Sequence, residues 1–202
     1  MSPSFLDQLA QARPDPGGGA AAAYSAGVAL ALLTKVIRLE RSRPRNNETL
    51  TDFWAEQLLA VRRLKRLFQR LRQADVEAYL NLARGLAAEP RQANFPLAVE
   101  EAAHCPWQIM EQSLMALELV SKAGKLCRPH LLADLLVAAE ILGGALQGAH
   151  HIAAANLPLM PTDAQRQKWA SRLAQTSHLG LEATLRVRSQ LLARTHEALN
   201  SQ

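Results

Sequence analysis

The chain has 202 residues, a length that suits one domain rather than several. Leu and Ala contribute 35 and 36 residues, whereas Val, Ile and Thr together contribute only 19, too few for the strands of an ordinary sheet. The formal net charge is +5, and the chain has only two cysteines. This composition excludes a disulfide framework and an all-β fold, and it predicts an all-α protein.

Hydrophobic periodicity predicts a single-domain bundle of five or six helices over residues 1–202, with long Ala/Gly-rich helices at its centre. A short first helix around residues 5–9 stops before Pro14. Three consecutive glycines then lead into an Ala-rich helix that runs to about residue 41. Small side chains allow close approach of neighbouring helices, so we expect this helix at the centre of the bundle.

A long basic helix follows, capped by Thr49 or Thr51 and ending near residue 86. Its apolar residues keep the spacing of one buried stripe: Leu64, Leu67, Phe68 and Leu71. Residues 35–72 contain 11 basic and four acidic residues, a local net charge of +7. Such a block attracts nucleic acid, an anionic membrane or a polyanionic small molecule, and charge alone does not choose between them.

The second half of the chain predicts three more helices. The first spans about 93–122 and is expected to kink or split at Pro96 and Pro106, where the ring removes a backbone donor. The second spans about 129–156, and the last follows a cap at Thr162 or Asp163. The second helix contains three glycines that predict close helix–helix contact: Gly143, Gly144 and Gly148.

Nothing in the sequence suggests secretion or membrane insertion. Residues 1–15 contain Asp7, Arg13 and Asp15 and lack an apolar run, so no secretory signal is expected. The longest uncharged stretch, 16–34, is Ala-rich rather than strongly apolar, which favours a core helix over a membrane span. We therefore expect a cytoplasmic protein.

Four motifs follow one another in order between residues 5 and 157. They are Pro14-Asp15-Pro16-Gly17-Gly18-Gly19, Asp75-Val76-Glu77-Ala78-Tyr79, Ala102-Ala103-His104-Cys105-Pro106, and the series Ala133-Asp134, Val137-Ala138-Ala139, Gly148-Ala149 and Asn156-Leu157. In these motifs the chain resembles the cyclodeaminase/cyclohydrolase family, folate enzymes related to the second half of formiminotransferase-cyclodeaminase. The resemblance implies an all-α homodimer that acts on a folate-type small molecule.

The implied chemistry is one-carbon transfer on tetrahydrofolate without a metal or redox cofactor. Members of this family convert formiminotetrahydrofolate to methenyltetrahydrofolate with loss of ammonia, or hydrolyse methenyltetrahydrofolate to formyltetrahydrofolate. Either reaction needs a proton moved at an amidine-like carbon and nitrogen, for which a carboxylate and a hydroxyl donor are adequate.

The resemblance makes Asp75, Asp134 and Tyr79 the candidate catalytic residues. Asp75 and Tyr79 are four residues apart and share one helix face, so Tyr79 can hold the carboxylate or touch the pterin ring. We expect the glycine turn to open into a cavity that both carboxylates reach. The alternatives are a surface Asp75 and an Asp134 that stabilises the start of its own helix.

The candidate substrate-binding residues are Gly17, Gly18, Gly19, Asn156, Lys35 and Arg38. The glycines would let the backbone approach a flat ring and point N–H groups at an anion. The cations, together with residues 62–72, would bind the glutamate tail of a folate. The alternatives are a flexible loop, an Asn that caps its helix, and a solvated basic face.

Several departures from the family pattern support a second hypothesis. Ala20 and Ala133 stand where the family has Ser, Ile152 stands where it has Asn, and its Lys-Gly-Asn appears as Leu126-Cys127-Arg128. A fold survives such losses more easily than its chemistry does. The alternative function is therefore a non-catalytic relative that binds folate or a protein partner.

Two further classes are disfavoured. His104-Cys105 and Cys127-x-x-His130 lack the additional ligands that a zinc site needs, so no metal centre is expected. His150 and His151 are adjacent, and a pterin contact competes there with a hydrogen-bonded core histidine. The composition also disfavours nucleic-acid binding, because aromatic residues make up only 4% of the chain.

Overall fold

The computed structural model describes residues 4–44, 47–88 and 93–200, so the predicted domain of 1–202 extends beyond the described part. Within these ranges the chain forms six α-helices, two short 3₁₀ turns and no strand. The helices are α1 (Phe5–Leu9), α2 (Gly18–Arg41), α3 (Glu48–Ala87), α4 (Phe95–Leu126), α5 (Leu132–Asn156) and α6 (Asp163–Asn200), and the 3₁₀ turns are Pro129–Leu131 and Leu157–Leu159. The predicted all-α helical bundle is confirmed.

Helix α2 lies between α3 and α5, as its small side chains predicted. Ala20, Ala23, Ala26 and Ala29 are all buried, which lets the helix axes approach closely. Helix α5 packs against α2, α4 and α6, and α4 packs behind the layer that α3, α2, α5 and α6 form. One core of buried side chains from α2 to α6 holds these helices together.

Helix α2 runs antiparallel to both α3 and α5, and this arrangement decides which residues meet. At its start, Gly19 faces Asp75 of α3 and Gly18 faces Ile152 of α5. At its other end, Lys35 pairs with Asp134 of α5. The start of α2 therefore meets the late parts of α3 and α5.

Two local predictions differ from the structure. The cap of α3 is Asn47, whose side chain accepts a hydrogen bond from Leu50 N, rather than Thr49 or Thr51. Helix α4 is not split: Pro96 lies in its first turn, where no N–H is needed, and the helix continues through Pro106. Buried apolar residues on both sides of Pro106 favour helix continuation over the loss of one hydrogen bond.

Of the three α5 glycines that were predicted to make close helix–helix contacts, only one makes such a contact. A side chain at Gly143 would collide with Thr184 of α6, so close contact is confirmed there. Added Cβ atoms at Gly144 and Gly148 would meet nothing within 4 Å, and for these two the prediction is wrong within one chain. They lie on the outward side of α5.

Two segments, Gly18–Arg41 and Pro129–Leu159, are long and apolar enough to cross a membrane by length and composition alone. Their most apolar windows are 56% and 44% buried inside the bundle. Core helices of soluble proteins pass the same test, so this finding is weak evidence for membrane insertion.

Candidate active site

A small cleft lies where α2 begins. Gly17 is the extended residue before the helix, and Gly18 and Gly19 form its first turn. The cleft measures about 60 Å³ and is lined by residues from α2, α3, α4, α5 and the preceding turn. The sequence-predicted residues that the structure brings together there are Gly17, Gly18, Gly19, Asp75, Tyr79 and Asn156.

Asp75 is the acidic group at the centre of this cleft. Its side chain is 8% exposed, and the backbone N–H of Ala20 donates a hydrogen bond to the carboxylate. The carboxylate fills the space in which a side chain at Gly19 would lie, since an added Cβ would collide with Oδ1. Glycine at position 19 therefore lets a carboxylate from α3 reach the N-terminal end of α2, whose free N–H groups favour negative charge.

Burial changes the pKa of the Asp75 carboxyl group. Desolvation raises the pKa of Asp75 from 3.8 to about 6, and the hydrogen bond from Ala20 partly opposes the shift. A group with a pKa near 6 is mostly ionised at neutral pH and still binds a proton readily. This is the property that a general acid–base residue requires.

Tyr79 and Asn156 flank Asp75. Tyr79, one turn further along α3, is 39% exposed at the mouth of the cleft. The Asn156 amide donates to Ala102 O at 2.9 Å and to Ile152 O at 3.2 Å, which ties the end of α5 to α4. The Asn156 amide thus stabilises the end of α5, and the residue also lines the cleft.

Cys105 of α4 does not line the cleft, but it lies near enough to Asp75 for the two groups to interact electrostatically. Its thiol donates to Leu71 O at 3.6 Å, and burial together with the charge of Asp75 raises its pKa to about 12. The raised pKa keeps the thiol protonated at neutral pH. The sequence contained Cys105 in the third family motif and in a disfavoured metal pair, but it gave no register between α3 and α4 that would place the thiol near Asp75.

Asp134, Lys35 and Arg38 do not reach this cleft. Asp134 lies at the opposite end of α5 from Asn156, roughly 33 Å away along the axis. Its carboxylate is 2.8 Å from Lys35 Nζ, and the two charges offset each other. Arg38 lies one turn beyond Lys35 on α2. The expectation that both carboxylates reach one cavity is wrong within a single chain, because α2 and α5 are antiparallel.

A wider cleft of about 450 Å³ adjoins the first, and Asp15 and Val76 line both. Phe5 lies in its wall, stacked on Tyr24 with ring centroids 4.6 Å apart. The guanidinium of Arg72 lies 4.9 Å from the Phe5 ring centroid and also lines this cleft. The cleft around Asp75 thus adjoins a larger space that is lined by both basic and acidic side chains.

The model of the family described as formiminotransferase-cyclodeaminase matches residues 2–175. The chain belongs to the formiminotransferase-cyclodeaminase family. It is similar in fold to a crystal structure of formiminotetrahydrofolate cyclodeaminase from Thermotoga maritima, with a TM-score of 0.86 and 19% sequence identity. The match covers 95% of this chain and 97% of that chain. No curated protein sequence matches.

Within this formiminotransferase-cyclodeaminase family member, three of the departures from the expected motifs lie in different surroundings. Ala20 is fully buried and contributes its backbone N–H to Asp75. Ala133 is exposed near the start of α5, far from the cleft. Only Ile152 narrows the cleft, because its Cδ1 packs directly against Gly18.

Proposed function

We propose that this protein is a folate-dependent one-carbon enzyme, a formiminotetrahydrofolate cyclodeaminase or a methenyltetrahydrofolate cyclohydrolase. Family membership supports the folate class. The observation that carries the proposal is the buried Asp75, which has a pKa of about 6 and lies at the glycine turn beside an open cleft. Its position and its pKa suit a residue that accepts a proton and returns it in one turnover.

In the cyclodeaminase reaction, the formimino group is protonated on its nitrogen, and N10 of the substrate attacks its carbon. Asp75 accepts the proton that N10 loses and returns it to the amino group, which leaves as ammonia when its bond to carbon breaks. The products are the methenyl cation and ammonia, so the enzyme supplies no net proton. Tyr79 at the mouth of the cleft contacts the pterin ring.

In the cyclohydrolase reaction, water adds to the carbon between N5 and N10. Asp75 accepts a proton from the water and returns one to the ring nitrogen whose bond to that carbon breaks. Formyltetrahydrofolate forms and one proton is released to solvent. The same residue serves both reactions, since in each it accepts one proton and returns one to a nitrogen bonded to the same carbon.

Steady-state assays with formiminotetrahydrofolate and methenyltetrahydrofolate test this function. We expect the wild-type protein to turn over one of them and Asp75→Asn to lower kcat by about 100-fold, because the amide cannot carry the proton. The matched control is Asp163→Asn, an exposed acid in the first turn of α6. Folded wild-type protein that turns over neither substrate at micromolar concentration would contradict the proposal.

A folate binder without activity is the second candidate, and Ile152 favours it. Its side chain occupies part of the cleft, and the remaining space of about 60 Å³ is narrow for a pterin ring. Calorimetric titration with folates, run beside the assay, separates the two functions. Binding without turnover supports this second candidate, and turnover excludes it.

We also propose that two copies of the chain form a homodimer through the outward faces of α2, α5 and α6. These faces carry exposed apolar residues and glycines with open space around them: Val28, Val137, Gly144, Gly148, Leu181 and Leu185. Apolar surface that a single chain leaves exposed is typical of an interface.

Sedimentation or light scattering tests the assembly. We expect a dimer for the wild-type chain and a monomer for Val137→Arg, because an arginine on the proposed contact face buries an unpaired charge. Met115→Arg, an exposed apolar position on α4, serves as the control and should leave the dimer intact. A wild-type monomer at micromolar concentration would overturn the assembly.

A further inference from the structure

The half-buried Ile152 of α5 lies beside Asp75 at the glycine turn. An added Cβ at Gly18 would lie 2.8 Å from Ile152 Cδ1, and an added Cβ at Gly19 would collide with Asp75 Oδ1. The two side chains therefore contact consecutive residues of the same turn, and both line the cleft. A substrate group that reacts at Asp75 consequently has an apolar side chain as its neighbour.

The wall that α5 contributes to the cleft offers little to hold a water molecule. Ile152 and Asn156 are four residues apart and share one face of α5. The Ile152 side chain has no hydrogen-bonding group, and the Asn156 amide already donates to Ala102 O and Ile152 O. On this face the Asn156 carboxamide oxygen is thus the side-chain atom left to meet a ligand. A buried water makes about three hydrogen bonds, so this oxygen alone does not fix one.

The other polar side chains of the cleft lie toward its openings. Tyr79 is 39% exposed at the mouth, and Asp15 lines both this cleft and the wider one. Helix α4 contributes Ala102, which lies next to the Ile152 face because its carbonyl accepts a hydrogen bond from Asn156. The cleft is therefore apolar on the side where Ile152 packs against Gly18.

The two reactions of the proposed function differ in their need for water. In the cyclodeaminase reaction N10 forms the new bond to the reacting carbon and ammonia leaves, so no water is consumed. In the cyclohydrolase reaction the water oxygen bonds to that carbon, the bond to one ring nitrogen breaks, and one proton goes to solvent. The product of the first reaction is the substrate of the second, so excluding water from the carbon preserves the methenyl product.

We propose that Ile152 is a specificity-determining residue that keeps water from the reacting carbon, so that the protein releases ammonia and methenyltetrahydrofolate without hydrolysing the methenyl group. The inference rests on the proposed function and deepens it, because it selects one of the two reactions. The departure from the family pattern at position 152 thus changes which reaction the site favours and does not abolish catalysis.

Two variants of nearly equal volume test this role: Ile152→Thr and Ile152→Val. They differ in a hydroxyl against a methyl group, so their comparison separates polarity from space. Ammonia release from formiminotetrahydrofolate and loss of methenyltetrahydrofolate are measured separately for the wild type and both variants, and the enzyme-free hydrolysis rate is subtracted. Circular dichroism verifies folding, and Ile152→Ser with Ile152→Ala replaces the pair if Ile152→Thr is unfolded.

We expect the wild-type kcat for ammonia release to exceed that for hydrolysis by at least about tenfold. Ile152→Thr should lower this ratio by at least about tenfold, because its hydroxyl can hold a water beside Asp75, whereas Ile152→Val should keep most of it. Wild-type protein that hydrolyses the methenyl group as fast as it releases ammonia, or equal ratios in the two variants, overturns the inference alone. Wild-type protein that turns over neither substrate overturns the proposed function and this inference together.

Discussion

At the scale of single residues, the site depends on the absence of a side chain. Asp75 reaches the start of α2 only because position 19 is glycine, and the N–H that meets it belongs to Ala20. The family pattern has a hydroxyl at position 20, but the backbone donor does not depend on the side chain. Asp75 therefore keeps its hydrogen bond despite that substitution.

Gly19→Ala tests this arrangement. We expect the new methyl group to displace the Asp75 carboxylate, which lowers kcat at least tenfold and destabilises the fold by about 1–3 kcal/mol through overpacking. Chemical denaturation and the steady-state assay measure the two effects. Gly27→Ala is the control for stability, because its added Cβ meets nothing within 4 Å and alanine favours a helix. Unchanged stability in Gly19→Ala would contradict the packing described here.

At the scale of helices, a buried acid fixes the end of α2 to the connection before α5. Glu40 is 1% exposed and accepts hydrogen bonds from Arg128 N and Nε and from Arg43. Desolvation alone would raise the pKa of Glu40, but the hydrogen bonds from Arg128 and Arg43 outweigh it and the pKa is lowered. Arg128, which stands in place of a family Asn, is thus a structural residue.

Glu40→Gln should destabilise the fold by about 3 kcal/mol at pH 7, because it removes one partner of a buried charged network. Since the folded pKa lies below the unfolded value, the stabilisation is present above about pH 4.5 and is lost as the pH falls through the folded pKa. Urea unfolding at pH 7 and in acid measures both. The exposed Glu182→Gln is the control, and a Glu40→Gln variant as stable as wild type would exclude this role.

At the scale of the whole molecule, the sequence predicts the fold better than the site. Apolar spacing and helix breakers are features of the local sequence, and they predicted all the long helices. The Ala-rich α2 packs between α3 and α5, in keeping with its small side chains. Which helix ends meet is not a local property. The sequence correctly placed Asp75 beside the glycine turn. It placed Asp134 there wrongly, because antiparallel packing of α2 and α5 puts Asp134 beside Lys35 instead.

The same limit explains what the sequence missed. The proximity of Cys105 to Asp75 became apparent only when the register of α4 against α3 was known. Ile152 was noted as a departure, but its packing on Gly18 needed the structure. Every helix of a bundle buries a similar apolar stripe. Periodicity therefore predicts which face of a helix is buried, but not which helix packs against that face.

The pH dependence of kcat tests the central claim that ionised Asp75 performs the proton transfer. We expect kcat to rise with pH and level off above a midpoint near 6, since burial raises the pKa of this group to about 6. In Asp75→Asn the residual rate should lack this transition. A wild-type midpoint near 4, or an Asp75→Asn variant that keeps both the rate and the transition near pH 6, would contradict the account.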